Sequence, residues 1–506
     1  MLKDHRSLFI VYYSLILMAW VLLLRWPSLD LPIDNDTGAR AYHARLILQG
    51  EPLYSSHHPG HHLPGIYYTY AAALKLFGDR AWSIKYLTIL WTMLVTAVLF
   101  RLGKLVGGDG VGWLTAVFYA LLSSHVWLWG QTAETELFAN LWRSTAVLLL
   151  LWLRGRDGER PYFFVGVLGA ISLLYKAIYL SPLALTGLVL LADGWQQRDW
   201  RSVVRRGLWV TGGVLAVIVP VLLYFAGQGL LARFLYLFTL GQGYVGESGT
   251  LVGGFPRWLL YPLLPLYGLA YNNPILLFFS VAGGLLILLT RQNPRGLLRW
   301  LTAWFLLSFA EAGVNLELFA HYYLLIVPPL AVLAAWLIWR LVQRVGRTAG
   351  RWVLLASLLA LVLVASAWQN GGYYVHYGRY RLEQETLADF VTAGWPNFGV
   401  RLAQSIIMAD YVQAHTNADD LIYYWSEDVQ LYYNSQRRVP IDLFWPIDVD
   451  YVDGRERIWD TDTALIIIDR TRDPGPPDWL ETAVADHYRL ETILNEQEIY
   501  RREAKD

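Results

Sequence analysis

The stretch IDNDTGARAYHARLILQGEPLYSSHHPGHHLPGIYYTY, Ile33 to Tyr70, decides how the rest of the chain is read. It places two aspartates, two arginines and a run of histidines just after an apolar segment, Leu8–Leu24. That segment approaches the roughly 20 residues needed to cross a bilayer. Polar, titratable chemistry at this place has to be explained by what surrounds it.

The surroundings are apolar. Of 506 residues, 55% are hydrophobic and 16% charged, against roughly a quarter charged in soluble chains. Mean hydropathy is +0.34. Formal net charge is zero, which removes any bulk-charge argument for a nucleic-acid partner. There is no cysteine, so thiolate catalysis, disulfides and Cys-ligated metals are excluded. Trp 24 and Tyr 32 are counts suited to membrane–water interfaces. The basic start before Leu8 resembles a signal peptide, but the apolar run is long and no small-residue cleavage site follows. It reads as a retained first transmembrane helix.

Further spans are expected at Trp82–Leu102, Val111–Trp129, Leu137–Leu153, Tyr162–Leu180, Ser181–Ala192, Leu208–Phe225, Pro274–Leu289, Trp300–Val314, Tyr322–Leu341 and Trp352–Trp368. The expectation is thus about eleven transmembrane helices. Loops bearing Lys3 and Arg6, Arg101 and Lys104, Arg154 to Arg160, Arg198 to Arg206, Arg291 to Arg299, and Arg344 to Arg351 alternate with loops poor in basic residues. The positive-inside rule makes the first set cytoplasmic. The N-terminus is then cytoplasmic, and the first outer loop, about 27–81, faces outward. Residues 1–368 form the membrane domain. From 369 to 506 the chain is polar, with DDLIYYW and TALIIID reading as buried strands and QSIIMADYVQAH and DVQLYYNS as helices. The fold class expected is an all-α polytopic membrane protein with interfacial helices in the first outer loop, followed by a small extracytoplasmic α/β domain.

Candidate chemistry gathers in the outer loops. Asp34 and Asp36 follow the first helix closely. A carboxylate there can be a base, a metal ligand or a cap, and DNDTGARAYHARLILQ can start a helix with Asp36 near the N-cap. In HHPGHHLPGIYYTYAAALKLFG, residues 57–78, Pro59 and Gly60 break any helical face joining His58 to His62. Hydrogen bonding to an anionic ligand or to the loop itself suits His58, His61 and His62 better than zinc does, so no cofactor is expected, with a divalent metal left open. Glu134 and Glu136 occupy a short outer loop. Lys176 lies near the outer end of the Tyr162–Leu180 span. A mid-bilayer lysine costs roughly 3 kcal/mol on insertion scales, so it either snorkels or meets an anion. His321 begins another span, and Arg233 and Arg257 bound a glycine-rich outer segment.

These segments resemble, in order, the GT-C membrane glycosyltransferases, in the bacterial branch related to protein O-mannosyltransferases and aminoarabinose transferases. DTGARAYHARLILQGEPLY is similar to the family's Asp-x-Gly and Leu-x-Gly-x-x-Tyr loop. HHLPGIYYTYAAALKLFG is similar to its Lys-Pro-Pro-x-x-Tyr-Tyr stretch, with His62 where the family has lysine and Tyr67 and Tyr68 as the tyrosine pair. ETELFANL, LLYKAIYL and HYYLLIVPPLAVLAA resemble later family segments. Thr37 replaces an acid that often follows the family aspartate.

The resemblance implies a polyprenyl-phosphate-linked sugar donor, an acceptor hydroxyl on lipid, glycan or protein, and inversion at the anomeric carbon. It implies Asp36 as general base, with Asp34 or Glu136 orienting groups near the acceptor. Lys176, His62, His61, His321 and Arg257 would hold the lipid phosphate. His58, Tyr67, Tyr68 and Glu134 would complete the donor and acceptor loops. A flippase for the lipid-linked sugar, or a non-catalytic membrane scaffold, remains the alternative.

Overall fold

The computed structural model describes residues 2–55, 62–236, 251–252, 255–256, 263–290, 296–313, 319–395, 399–440, 462–471 and 475–503. The chain divides into two compact units. One comprises Met1–Leu29, Lys85–Gly227 and Phe238–Arg379; the other comprises Asp30–Ile84, Gln228–Leu237 and Tyr380–Asp506.

Among the described residues the first unit is built of helices and turns, with one antiparallel pair of two-residue strands, β1 (Leu251–Val252) and β2 (Phe255–Pro256). Among the described residues, four helices are long and apolar enough to cross a membrane: Ala81–Gly107, Thr135–Leu153, Trp200–Gly227 and Thr348–Arg381. Shorter apolar helices include Asp109–Ser123, Tyr162–Leu173 and Pro274–Leu289. The Thr348–Arg381 helix runs without a break through Trp368, where the composition changes. Its 34 residues span roughly 50 Å at 1.5 Å per residue, well beyond a hydrocarbon layer of about 30 Å.

Small residues let these helices approach closely. A methyl added to Gly166 would lie 2.0 Å from the Val210 carbonyl oxygen, and one added to Gly213 would lie 2.0 Å from that of Phe163. The Tyr162–Leu173 and Trp200–Gly227 helices therefore cross backbone to backbone at a reciprocal glycine pair. In lipid, where no hydrophobic force drives helices together, such close packing is what holds them.

The boundaries differ from the sequence expectation at functionally important places. The Tyr162–Leu180 span ends as a helix at Leu173, and residues 174–180 form turns before the Ser181–Gln197 helix. Pro182 opens the second of these helices, in the first turn where its missing N–H would have had no partner. Lys176 consequently lies in a turn rather than on a helix. Val111–Trp129 is helical only to Ser123 and closes in a 3-10 turn at Val126–Leu128. His321 lies in the 3-10 segment Ala320–Leu325, ahead of the Val327–Arg344 helix.

The second unit combines the first loop with the C-terminal α/β region. Its four-stranded sheet contains β3 (Leu421–Trp425), β4 (Thr463–Asp469), β5 (Tyr488–Leu494) and β6 (Gln497–Arg502), in the order β3-β4-β6-β5. β3 and β4 are parallel; β5 and β6 form an antiparallel hairpin. Asn495 and Glu496 turn that hairpin with positive φ of 52° and 65°, the twist a two-residue connection requires. Ile422–Trp425 and Leu465–Ile468 are buried on both sides of the strand, as expected of a covered parallel pair. Two first-loop helices, Asn35–Leu48 and Pro64–Phe77, pack on each other, and the first also packs on the short Gln430–Ser435 helix.

Candidate functional site

Within the second unit, the Asn35–Leu48 helix positions the two aspartates differently. Asp34 is its N-cap. One carboxylate oxygen accepts the Thr37 N–H at 2.8 Å and the other accepts the Thr37 hydroxyl at 2.7 Å. Burial pushes the Asp34 carboxyl above its ordinary value, against the pull of those two donors. Asp34→Ala should lower the unfolding free energy by about 1 kcal/mol, the usual worth of a cap. Asp34→Asn, which still accepts, should stay near wild type. Thermal unfolding of the two variants in detergent measures the difference, and equal losses would mean the carboxylate charge matters more than capping.

Asp36 is in the first helical turn and keeps 30% of its side chain exposed, whereas Arg40 keeps 3%. Arg40 Nη2 donates to Asp36 Oδ2 at 2.8 Å and to His62 Nε2 at 3.3 Å. A guanidinium can only donate, so His62 Nε2 accepts in this contact. The firm cation beside Asp36 is therefore Arg40, a residue the sequence reading passed over. The signal was present: Asp36 and Arg40 are four residues apart, one turn on the same helix face.

Other first-loop residues support this pair. Tyr67 is buried, and its phenol is pushed up by burial, with Arg40 opposing and Asp36 adding to the shift. Tyr68 is exposed. His43 Nδ1 donates to the Ala39 carbonyl at 2.8 Å, and the ring meets Tyr67 edge-on. The Tyr54 hydroxyl donates to the His62 carbonyl at 3.3 Å, while Arg233 donates to the carbonyls of Tyr54 and Ser55. His58, His61 and Arg257 lie outside the described residues.

Within the first unit, a second set forms around the turn before the Thr135–Leu153 helix. Arg25 Nη1 donates to the Ser123 carbonyl at 3.1 Å, and its Nη2 donates to the Thr132 carbonyl at 3.2 Å. Gln131 Nε2 donates to the carbonyls of Leu24 and Ser124. These bonds tie the turn to the end of the first helix. Thr132 then donates to Glu134 Oε1 at 3.0 Å. Glu134 and Glu136 are both buried. Glu134 is the N-cap residue and Glu136 is in the first turn, where a carboxylate is favoured by the helix dipole.

Glu136 Oε1 accepts the Tyr179 hydroxyl at 2.6 Å. Glu136 Oε2 has no hydrogen-bond partner among the described residues. Lys176 is buried; its Nζ donates to the Tyr322 hydroxyl at 3.3 Å and lies 4.3 Å from the Tyr322 ring centroid. The His321 ring packs edge-on to Tyr322 at 4.5 Å and lies 5.7 Å from the Trp129 ring. Lys176, Tyr322, His321 and Trp129 thus form one connected set of contacts, and Glu136 shares Tyr179 with the Lys176 turn. Tyr179 and Tyr322 were not singled out from sequence, because a tyrosine at a membrane interface is usually only an anchor.

The first unit is a bundle of apolar helices interrupted by turns that carry acids and a lysine. The second is an α/β unit that incorporates the loop after the first helix. These features are those of the GT-C fold. Residues 57–224 match the family described as dolichyl-phosphate-mannose-protein mannosyltransferase.

Among solved structures, ArnT from Cupriavidus metallidurans bound to undecaprenyl phosphate is similar at 15% identity and a TM-score of 0.64, covering 97% of this chain and 98% of that one. The apo state of the same protein is similar at 16% identity and a TM-score of 0.61, with the same coverage. The Archaeoglobus fulgidus oligosaccharyltransferase in complex with Zn and sulfate is similar at 11% identity and a TM-score of 0.50, covering 90% of this chain and 67% of that one. No protein with a curated description matches the chain.

Proposed function

We propose that this protein transfers a sugar from a polyprenyl-phosphate-linked donor to an acceptor hydroxyl at the extracytoplasmic face of the membrane, with inversion. The acceptor oxygen attacks the anomeric carbon as Asp36 takes its proton. The bond from that carbon to the phosphate oxygen breaks, and the lipid phosphate leaves with the electron pair. Arg40 fixes the Asp36 carboxylate, and Asp34 holds the helix end that presents it. Lys176, aligned by Tyr322, receives the phosphate. At about 4 Å and an effective dielectric of 20, that attraction is worth roughly 4 kcal/mol before desolvation. Glu136, oriented by Tyr179, accepts from a donor-sugar hydroxyl. His62 adds a hydrogen bond, and His321 packs edge-on against Tyr322. The N-terminus is assigned to the cytoplasm and the C-terminal region to the outside.

The observation that carries this reading is the partly exposed Asp36 carboxylate gripped by a buried arginine, on a fold shared with ArnT, whose structure holds undecaprenyl phosphate. A carboxylate kept in place by a fixed cation, yet open to solvent, is suited to accept a proton from an incoming hydroxyl.

The test uses purified protein in vesicles with radiolabelled polyprenyl-phosphate sugar and crude envelope acceptors. Label moving onto acceptor supports the reading; intact donor crossing the bilayer without transfer replaces it with a flippase. Lys176→Met should weaken binding of undecaprenyl phosphate by about tenfold or more while the thermal midpoint holds. Unchanged affinity in that variant removes Lys176 from the phosphate site.

A further inference from the structure

The first unit buries an ion pair, Arg143 with Glu311, that no step above uses. Such a pair is poor at stabilising a fold. Desolvation offsets much of the Coulomb attraction, and apolar residues of similar volume often serve as well or better. An ionisable pair inside a membrane domain therefore calls for another reason.

Its contacts supply one. Arg143 Nη1 donates to Asn140 Oδ1 at 2.7 Å and to the Leu325 carbonyl at 3.1 Å. Nη2 donates to Ser181 Oγ at 2.9 Å, Ser308 Oγ at 3.0 Å and Glu311 Oε2. Glu311 Oε1 accepts the Ser181 N–H at the start of the Ser181–Gln197 helix. Asn140 Nδ2 donates to the Leu324 carbonyl at 2.8 Å. The fork thus grips two irregular segments from one rigid helix. One is the turn that carries Lys176 and Tyr179 and ends at Ser181. The other is the 3-10 segment that carries His321 and Tyr322. Arg143 itself lies seven residues after Glu136, two turns along the same helix face.

We propose that the Arg143–Glu311 pair is a positioning device that fixes the Lys176 turn against the Tyr322 segment, and thereby sets the affinity of this protein for a polyprenyl phosphate. The role in lipid affinity rests on the function proposed above; the positioning does not. Neither partner touches the ligand. A lysine cannot replace Arg143, since a single ammonium lacks the planar fork that reaches several acceptors at once.

The test is the apolar double variant R143M/E311M beside the single variant R143K, both as full-length protein in nanodiscs. The double variant is expected to keep or raise the thermal midpoint. Amide exchange in residues 174–180 and 319–326 should rise by about tenfold or more. Affinity for undecaprenyl phosphate should fall by about 10- to 100-fold, the scale of a misplaced binding group. The donor KM should rise much more than kcat falls. R143K should reproduce the exchange and affinity changes.

Wild-type exchange and affinity in a folded double variant would overturn the proposal. If the double variant does not fold, R143K decides alone, and wild-type behaviour there overturns it equally. If the wild type does not bind undecaprenyl phosphate, the transferase reading falls, while exchange in the two segments still decides whether the pair positions them.

Discussion

Asp36→Asn is expected to lower sugar transfer by about 100- to 10,000-fold, the range for removing a positioned general base. The change keeps shape and hydrogen bonding. Asn presents an oxygen where Asp36 Oδ2 now accepts from Arg40 Nη2 at 2.8 Å, but it cannot take a proton from a hydroxyl. The fold should hold. The helix is capped by Asp34, not Asp36. What Asp36 loses is its interaction with the helix dipole, about 0.3–1 kcal/mol, and a partly exposed ion pair of similar worth. Binding of the lipid donor should change little, because the phosphate is assigned to Lys176. Single-turnover transfer with bound labelled donor measures the effect directly. Turnover within a few fold of wild type, in a variant that still melts normally, would take Asp36 out of the mechanism.

How far the sequence exposed this arrangement depends on which interactions are local. The sequence puts the cap near Asp36 and the structure puts it at Asp34, because either aspartate suits an N-cap and only the folded contact with Thr37 separates them. TALIIID and DDLIYYW announced β4 and β3 because buried parallel strands read as continuous apolar runs. Pro274–Leu289 was legible end to end, since Asn273 caps it and Pro274 opens it. The turn at Lys176 was not, because apolar residues on both sides mimic an unbroken span. Tyr322 and Arg143 were missed for a different reason. Tyr322 acquires its role only by folding beside Lys176, which is 146 residues away in the chain. Arg143 has its carboxylate 168 residues away. Single-chain periodicity carries no record of such pairings. Arg40 is of the local kind, since its four-residue spacing from Asp36 puts both on one helix face.

The Asp-x-Gly spacing itself leads to the other large effect. Gly38→Ala should destabilise the second unit, although alanine in an open helix gains about 1 kcal/mol over glycine. The reason is backbone proximity. A methyl on Gly38 would lie 2.3 Å from Gln430 Cβ and 2.5 Å from Gln430 Cα, with Ile33 Cγ2 at 3.2 Å. No rotamer change moves a Cα atom, so the Asn35–Leu48 helix and the Gln430–Ser435 helix must separate. Overpacking of this kind typically costs about 1–3 kcal/mol, and valine should cost more than alanine. Separation would also strain the bonds that fasten the same helix to this unit, Arg45 Nη1 to the Tyr433 carbonyl at 3.0 Å and the Val439 N–H to the Tyr42 hydroxyl at 3.3 Å. Asp36 lies two residues before Gly38, so transfer should fall together with stability. Gln430→Gly removes one of the two clashing atoms, and the double variant should recover part of the loss, giving a coupling energy that contact alone produces. Thermal unfolding and protease sensitivity near residue 430 measure both effects. Gly38→Ala at or above wild-type stability would show that the two helices are not held backbone to backbone, and that the glycine answers to something other than packing.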